Sequence, residues 1–237
     1  MNNSNENTYL YIINYPVKER ELALLEMESL FGIEVKKKHF YSNIDINPSV
    51  SPFIKLRITV IHKGESLEHL VQLLIEKPIK SENFKFARFK IEEEKLSYEM
   101  WMKSATELGK VIQGEVDMRN PSTEFGVTII DNKWIFGIYE KNMNLYEKHN
   151  KKPYTNSHSL ETRTARAIVN IATSHCTNLE VIDPCCGIGT VVLEALSLGI
   201  TITGYEINYL IARQAKKNVA FFGYEECIIK GDMHTIE

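Results

Sequence analysis

The sequence predicts an α/β fold, with a parallel sheet in its C-terminal part and an α+β region before it. Past residue 157, apolar runs of strand length alternate with helical patterns in the order strand, helix, strand, helix, strand. This alternation is typical of a parallel sheet with right-handed crossovers. Before residue 141 the patterns alternate less regularly and end in a hairpin, with strands at 125–130 and 133–139 around Asp131-Asn132.

The elements before the hairpin are predicted from hydrophobic periodicity and from residues that stop helices. A β-branched and aromatic run at 9–15 predicts a strand, and the apolar spacing at 17–31 predicts a helix that ends at Gly32. The same criteria predict strands at 53–62 and 84–91 and helices at 65–76 and 97–112.

The βα units of the C-terminal part follow a helix predicted at 159–173. They consist of strands at 179–183, 201–205 and 227–230 and helices at 190–198 and 208–222. Segment 141–156 is polar and basic and contains Pro153, which is typical of a linker. We therefore expect the chain to divide into residues 1–140, a linker at 141–156 and residues 157–237.

The composition is that of a globular protein, with 43% apolar and 25% charged residues among 237. No apolar run approaches the roughly 20 residues that span a bilayer, and the polar residues 1–7 lack the apolar core of a signal peptide. We expect a cytoplasmic protein with no membrane partner. The 4 cysteines have no C-x-x-C spacing, so neither a metal site nor a disulfide framework is indicated.

The charge balance argues weakly against a nucleic-acid partner, because 28 basic and 31 acidic residues give a net charge of −3. Local clusters of basic residues favour a nucleic-acid partner, since phosphate contact depends on local charge rather than net charge. They lie at 36–38, at 85–90 and at 141–152. Ordinary solvated surface remains the alternative explanation for each cluster.

A glycine-containing loop lies where the first strand of the parallel sheet ends and the next helix begins. Residues 181–190 read VIDPCCGIGT, with Asp183 and Pro184 at the strand end and Gly187 and Gly189 in the loop. This is the ligand-binding edge of an open α/β sheet, and glycines there let a ligand approach the backbone.

Carboxylates follow each of the three predicted strands. Glu206 lies 17 residues past Gly189, close to the separation at which an acidic side chain accepts the ribose hydroxyls of an adenosine cofactor. Asp232, after the third strand, can accept from an adenine amino group. Alone, Asp183 could cap a helix, Glu206 could be a surface carboxylate and Asp232 a turn former. In this order they indicate an adenosine cofactor.

Two adenosine cofactors compete for this pattern. A nicotinamide dinucleotide needs a third glycine three residues after the second, where this chain has Val192. S-Adenosylmethionine (SAM) has no diphosphate, and the carboxylate of Asp183 favours its cationic methionine end. The residues therefore favour SAM.

These residues resemble class I SAM-dependent methyltransferases that act on RNA, and more narrowly the THUMP-containing tRNA guanine-N2 methyltransferases. Residues 153–160 (PYTNSHSL) and 166–170 (RAIVN) are similar to the family's segment before its first strand, whose loop helps to close over the cofactor. In the family's glycine loop, Asp-Pro-Phe-Cys-Gly-Thr-Gly-Thr, Cys185 replaces the aromatic residue and Ile188 the threonine.

The resemblance implies a Rossmann-like SAM domain, here its N-terminal half at 157–237, preceded by a ferredoxin-like and THUMP-type RNA-binding region at 1–140. It implies a tRNA partner. We expect Lys148, Lys151 and Lys152 to contact the RNA, since the linker must lie between the RNA-binding region and the cofactor cleft. Residues implied to bind the cofactor are Ser159, Leu160, Asp183, Pro184, Cys185, Gly187, Gly189, Thr190, Glu206, Ile207, Asp232 and Met233.

Amino-methylating relatives carry an Asn/Asp-Pro-Pro-aromatic loop after the fourth strand, which orients the target amine and stacks on a flipped-out base. This sequence contains no Pro-Pro dipeptide and stops at Glu237. We therefore expect the catalytic loop beyond residue 237, and cofactor binding without useful turnover. The alternatives are an rRNA or DNA amino-methyltransferase on the same scaffold, or a non-catalytic RNA-binding protein with a vestigial SAM fold.

Overall fold

The computed structural model describes residues 7–91 and 96–235. The polar start on which the expectation about a signal peptide was based lies largely outside these residues, as does the chain end at 236–237. The strands in chain order are β1 (Thr8–Ile13), β2 (His39–Ser42), β3 (Ile54–Gly64), β4 (Lys80–Phe86), β5 (Gln113–Val116), β6 (Thr123–Ile130), β7 (Lys133–Lys141), β8 (Glu180–Asp183), β9 (Thr201–Glu206) and β10 (Ile228–Lys230). The α-helices are α1 (Arg20–Phe31), α2 (Leu67–Glu76), α3 (Tyr98–Gly109), α4 (Thr162–Thr173), α5 (Thr190–Ser197) and α6 (Tyr209–Phe221).

The described residues form two compact units that are discontinuous along the chain. The first unit takes residues up to Asn14, then Lys36–Pro48 and Ile54–Asn142; the second takes Tyr15–Val35, Ser49–Phe53 and the residues from Met143 onward. This grouping differs from the expected linear division at 141–156, because α1 belongs to the second unit.

The first unit is built on a seven-stranded mixed sheet in the order β2-β1-β3-β7-β6-β4-β5. The pairs β4–β5 and β4–β6 are parallel, and the other neighbouring strands are antiparallel. Phenylalanines 84, 125 and 136 pack on one another and on leucines of α2 and α3 to form its core. Asp131 and Asn132 both have positive φ (48° and 61°), which matches the predicted tight hairpin turn.

The second unit contains a three-stranded parallel sheet in the order β10-β9-β8. Its register sets Asp183 beside Gly204 and Lys230 beside Glu206. Residues of α5 and α6, among them Val192, Leu193 and Ala215, share an apolar core with Ile202 and Ile228 of the sheet. The predicted βαβαβ order is confirmed, and so is the α/β fold class of this unit.

Several elements differ from the sequence prediction. Strands β2 and β5 were not predicted, and β4 covers Lys80–Phe86 rather than 84–91. Within the expected linker, Leu145–Lys151 forms a 3-10 helix whose Tyr146 and His149 are buried. That segment is therefore packed structure rather than an open tether. No helix in the described ranges is both long and apolar enough to cross a membrane.

A buried carboxylate on α1 joins this helix to the rest of the second unit. Glu26 is fully buried, and it accepts hydrogen bonds from Ser51 Oγ and Asn170 Nδ2, both at 2.6 Å. Asn170 Nδ2 also donates to the carbonyl oxygen of Val50 at 3.1 Å. These bonds tie three parts of the chain together. They explain why the N-terminal helix groups with α4, which lies far from it in sequence.

Burial of Glu26 raises the pKa of its carboxyl to about 7, although the bonds from Ser51 and Asn170 oppose the rise. The folded state therefore holds a proton that the unfolded chain releases near pH 4.5. The stability that this group contributes is present at acid pH and is lost as the pH rises through 7.

We predict that the free energy of unfolding falls by on the order of 2–3 kcal/mol between pH 5 and pH 8 because of Glu26. Glu26→Gln, which keeps a neutral side chain at every pH, should flatten this dependence. Urea unfolding at both pH values measures it. Glu28→Gln, at an exposed position of the same helix, is the matched control. An equally steep pH dependence in Glu26→Gln would contradict the assignment.

Candidate cofactor site

The loop between β8 and α5 turns sharply at its two glycines. Gly187 and Gly189 have φ values of 54° and 81°, a left-handed backbone conformation that residues with a Cβ rarely adopt. The amide of Cys186 donates to the carbonyl of Tyr205 on β9 at 2.8 Å, which anchors the loop to the neighbouring strand. Helix α5 then begins at Thr190. The loop thus lies at the carboxyl edge of the parallel sheet.

The three carboxylates lie at the ends of adjacent strands, as the sequence predicts. Each accepts a hydrogen bond from the backbone amide two residues further on. The bonds join Asp183 to Cys185 at 3.2 Å, Glu206 to Asn208 at 2.8 Å and Asp232 to His234 at 3.0 Å. The parallel register places all three strand ends at the same edge of the sheet.

Burial, together with neighbouring negative charge, raises the pKa of two acidic groups at this edge. Burial raises the pKa of Asp183, and the nearby charge of Glu206 raises it further, against the lowering effect of the Cys185 amide. Burial, with the charges of Asp183 and Glu206, raises the pKa of the Cys186 thiol to about 12. Since this edge disfavours further negative charge, it favours a cationic ligand.

A cavity of about 330 Å³ opens beside this loop. Its walls come from the glycine loop, the start of α5 and the segment before α4. The lining residues are Asn156, His158, Ser159, Leu160, Asp183, Cys185, Cys186, Gly187, Ile188, Thr190 and Val191. Thr190 Oγ1 is buried and has no hydrogen-bond partner among the described residues, so it can donate to a ligand.

Half of the predicted cofactor residues line this cavity: Ser159, Leu160, Asp183, Cys185, Gly187 and Thr190. The others lie close in the fold but outside its wall. Pro184 is within the loop, and Gly189 precedes α5 and packs beside Ala215. Glu206 is the last residue of β9 and Ile207 follows it, and Asp232 and Met233 lie after β10. The sulfur of Met233 lies 3.5 Å from that of Cys185, so the segment after β10 reaches the glycine loop.

Asn218 on α6 supports the cavity and was not predicted. It is fully buried, accepts from the Tyr154 amide at 2.9 Å and donates to the carbonyls of Tyr154 at 3.0 Å and Ile188 at 2.9 Å. It therefore ties the segment before α4 to the glycine loop. The signal in the sequence was a polar residue between Ala215 and Val219 on the buried face of a helix.

The three lysines predicted to contact RNA have different environments. Lys148 and Lys151 are exposed, whereas only 9% of Lys152 is exposed. Lys152 thus does not lie on the open surface expected of a linker, because the 3-10 helix before it packs into the unit. Within residues 7–91 and 96–235, no three His, Cys, Asp or Glu side chains form a group that could hold a metal ion.

No protein-family model matches the chain. Two curated relatives are tRNA (guanine(10)-N2)-dimethyltransferases. The protein from Pyrococcus abyssi is 30% identical over 91 residues, which are 38% of this chain and 27% of that protein. The protein from Methanothermobacter thermautotrophicus is 24% identical over 128 residues, 52% of this chain and 38% of that protein. The matched region spans about a third of these relatives' length. The chain is thus similar in part of its length to RNA methyltransferases.

Two solved structures align with most of the chain. TrmN from Thermus thermophilus aligns with 95% of this chain and 73% of its own, at 16% identity and a TM-score of 0.43. SMU.472 in complex with SAH aligns with 98% of this chain and 77% of its own, at 14% identity and a TM-score of 0.45.

We predict that a haloacetamide at pH 8 labels Cys185 and Cys176, which are exposed, and leaves Cys186 unmodified. The thiolate is the nucleophile, and the raised pKa and burial of Cys186 keep it protonated and covered. Mass spectrometry of the labelled peptides measures the labelling rate of each of these cysteines, with Cys176 as the internal reference. Labelling of Cys186 as fast as that of Cys185 would contradict this structure of the loop.

Proposed function

We propose that the second unit binds SAM at the carboxyl edge of its parallel sheet, and that the protein is an RNA methyltransferase acting on the exocyclic N2 of a guanine in tRNA. The observation that carries this proposal is the cavity between the glycine loop and Ser159–Leu160, with the carboxylate of Asp183 in its wall. Glu206 and Asp232 at the next two strand ends extend the acidic edge.

The chemistry of these residues fits the parts of the cofactor. Asp183 favours the ammonium and sulfonium charges of the methionine end. The unpartnered hydroxyl of Thr190, at the start of α5, is a donor for the methionine carboxylate. Glu206 would accept from the ribose hydroxyls, and Asp232 from the adenine amino group. A side-chain carbon at Gly187 would meet no atom within 4 Å, so the loop borders open space.

The similarity to the two curated relatives supports RNA, and guanine N2 in particular, as the methylated substrate. When bound, SAM supplies an electrophilic methyl group for transfer to a nucleophilic nitrogen. The residues described above hold and orient the cofactor. The chain contains no Pro-Pro dipeptide, so no acceptor-orienting loop is assigned within it. Cofactor binding is therefore the property to assay first.

We predict that the 237-residue chain binds SAM and that Glu206→Ala weakens this binding by about 10- to 100-fold. A charge-assisted bidentate contact is worth roughly 1.5–3 kcal/mol. Isothermal titration calorimetry measures the affinity. Glu225→Ala, at an exposed position before β10, is the matched control and should bind as the wild type does.

The same titration distinguishes SAM from the competing cofactor, NAD. NAD should produce no heat of binding, because the loop lacks the third glycine. Unchanged SAM affinity in Glu206→Ala would contradict the ribose contact, and no SAM binding by the wild type would contradict the proposed function. Transfer of a radiolabelled methyl group to tRNA by this chain would show that acceptor-orienting residues lie within it.

We predict that the exposed lysines of the 3-10 helix contribute to RNA binding. The double variant Lys148→Ala, Lys151→Ala should weaken binding of a tRNA transcript and reduce the slope of log affinity against log salt by up to about 2, since each phosphate contact releases counterions. Fluorescence anisotropy at several salt concentrations measures both. Lys216→Ala, on α6 and outside both the basic cluster and the cofactor cavity, is the control. An unchanged slope would mean that these lysines do not contact RNA.

A further inference from the structure

A second and larger cavity lies beside the proposed cofactor cavity. It has a volume of about 610 Å³, and Ser159 and Leu160 belong to the walls of both. All the residues around it come from the second unit, among them Arg163, Tyr146 and Lys152. A cavity of this size is in the range of small-molecule sites.

Most polar groups around this cavity already have partners. The guanidinium of Arg163 pairs with Glu19 at 3.3 Å and bonds to the hydroxyl of Tyr146. Asn150 Oδ1 accepts from the hydroxyl of Thr162 at 2.6 Å. These pairs rigidify the wall and leave those groups little capacity for a ligand.

Lys152 has no such ion pair among the described residues. It is about nine-tenths buried, and the described residues place no carboxylate within 4 Å of its ammonium. Glu194 attracts it from a distance, but both oxygens of Glu194 already face other residues, His149 at 2.5 Å and Arg166 at 2.7 Å. Burial lowers the pKa of Lys152, and the attraction of Glu194 opposes this shift.

An ammonium donates hydrogen bonds and accepts none, so a group that compensates Lys152 must be an acceptor, and an anion does so best. Two exposed carboxylates, Glu147 and Glu161, also border this cavity. They disfavour a wholly anionic ligand. A nucleotide carries both kinds of group: a phosphate that accepts and base N–H groups that donate.

We propose that the second cavity holds one nucleotide of the RNA substrate, with Lys152 binding its phosphate. This inference rests on the proposed function, because methyl transfer brings the acceptor RNA next to the cofactor, and Ser159 and Leu160 line both cavities. Lys152 thus acts inside the unit, as a contact to one nucleotide, while Lys148 and Lys151 offer exposed contacts.

The test is Lys152→Met, which keeps the length and the apolar stem of the side chain. Binding of a tRNA transcript should weaken about tenfold, because a charge-assisted bond is lost, and the salt slope should fall by about 1. SAM affinity, measured on the same samples by calorimetry, should stay unchanged. Lys216→Met, on α6 and outside both cavities, is the control for loss of one lysine. Unchanged tRNA affinity in folded Lys152→Met overturns the inference.

A second measurement on the wild type covers the case in which Lys152→Met does not fold. Trace acylation followed by mass spectrometry reports the reactivity of each lysine amine. Saturating tRNA should slow acylation of Lys152 several-fold relative to Lys216, and absence of this protection overturns the inference. A wild type that binds no SAM but whose Lys152 is protected by tRNA would refute the proposed function alone.

Discussion

The second unit depends on the compensation of one buried charge, the carboxylate of Glu194 on α5. Its two oxygens face His149 at 2.5 Å and Arg166 at 2.7 Å, and all three side chains are almost completely buried. Breaking such a network would leave an uncompensated charge in the interior, which costs several kcal/mol. The network fixes α4 and the 3-10 helix against α5, whose first residues border the cavity. These buried contacts lie outside the cavity, but they determine the relative positions of the start of α5 and the segment before α4, which both line it.

The parallel part of the fold could be predicted because it follows from local patterns. Apolar runs fix the strands, and a carboxylate directly after a strand must lie at the sheet edge whatever the rest of the chain does. The edge strands β2 and β5 were not predicted because they are short, and because all four residues of β5 are exposed and show no apolar pattern. The position of α1 could not be predicted either, since Glu26 and Asn170 are 144 residues apart.

The cavity could be predicted only in part, for a similar reason. Asp183 and Gly187 belong to one contiguous motif, so their proximity follows from sequence alone. Asn218 contacts the cavity segments across 30 and 64 residues, and nothing local marks it beyond its place on a buried helical face. A basic cluster does not reveal which of its lysines is buried, and Lys152 differs from Lys151 only through the packing of His149 and its neighbours.

In the proposed function, SAM occupies the cavity between the glycine loop and the segment before α4. Hydrogen–deuterium exchange of the whole chain with and without SAM tests this most directly, because a bound ligand slows local opening of the backbone that it touches. We expect slower exchange at 156–160, at 183–191 and at the end of β9, and unchanged exchange rates in the seven-stranded sheet. Slower exchange confined to the first unit, or no change in these segments under saturating SAM, would contradict this expectation.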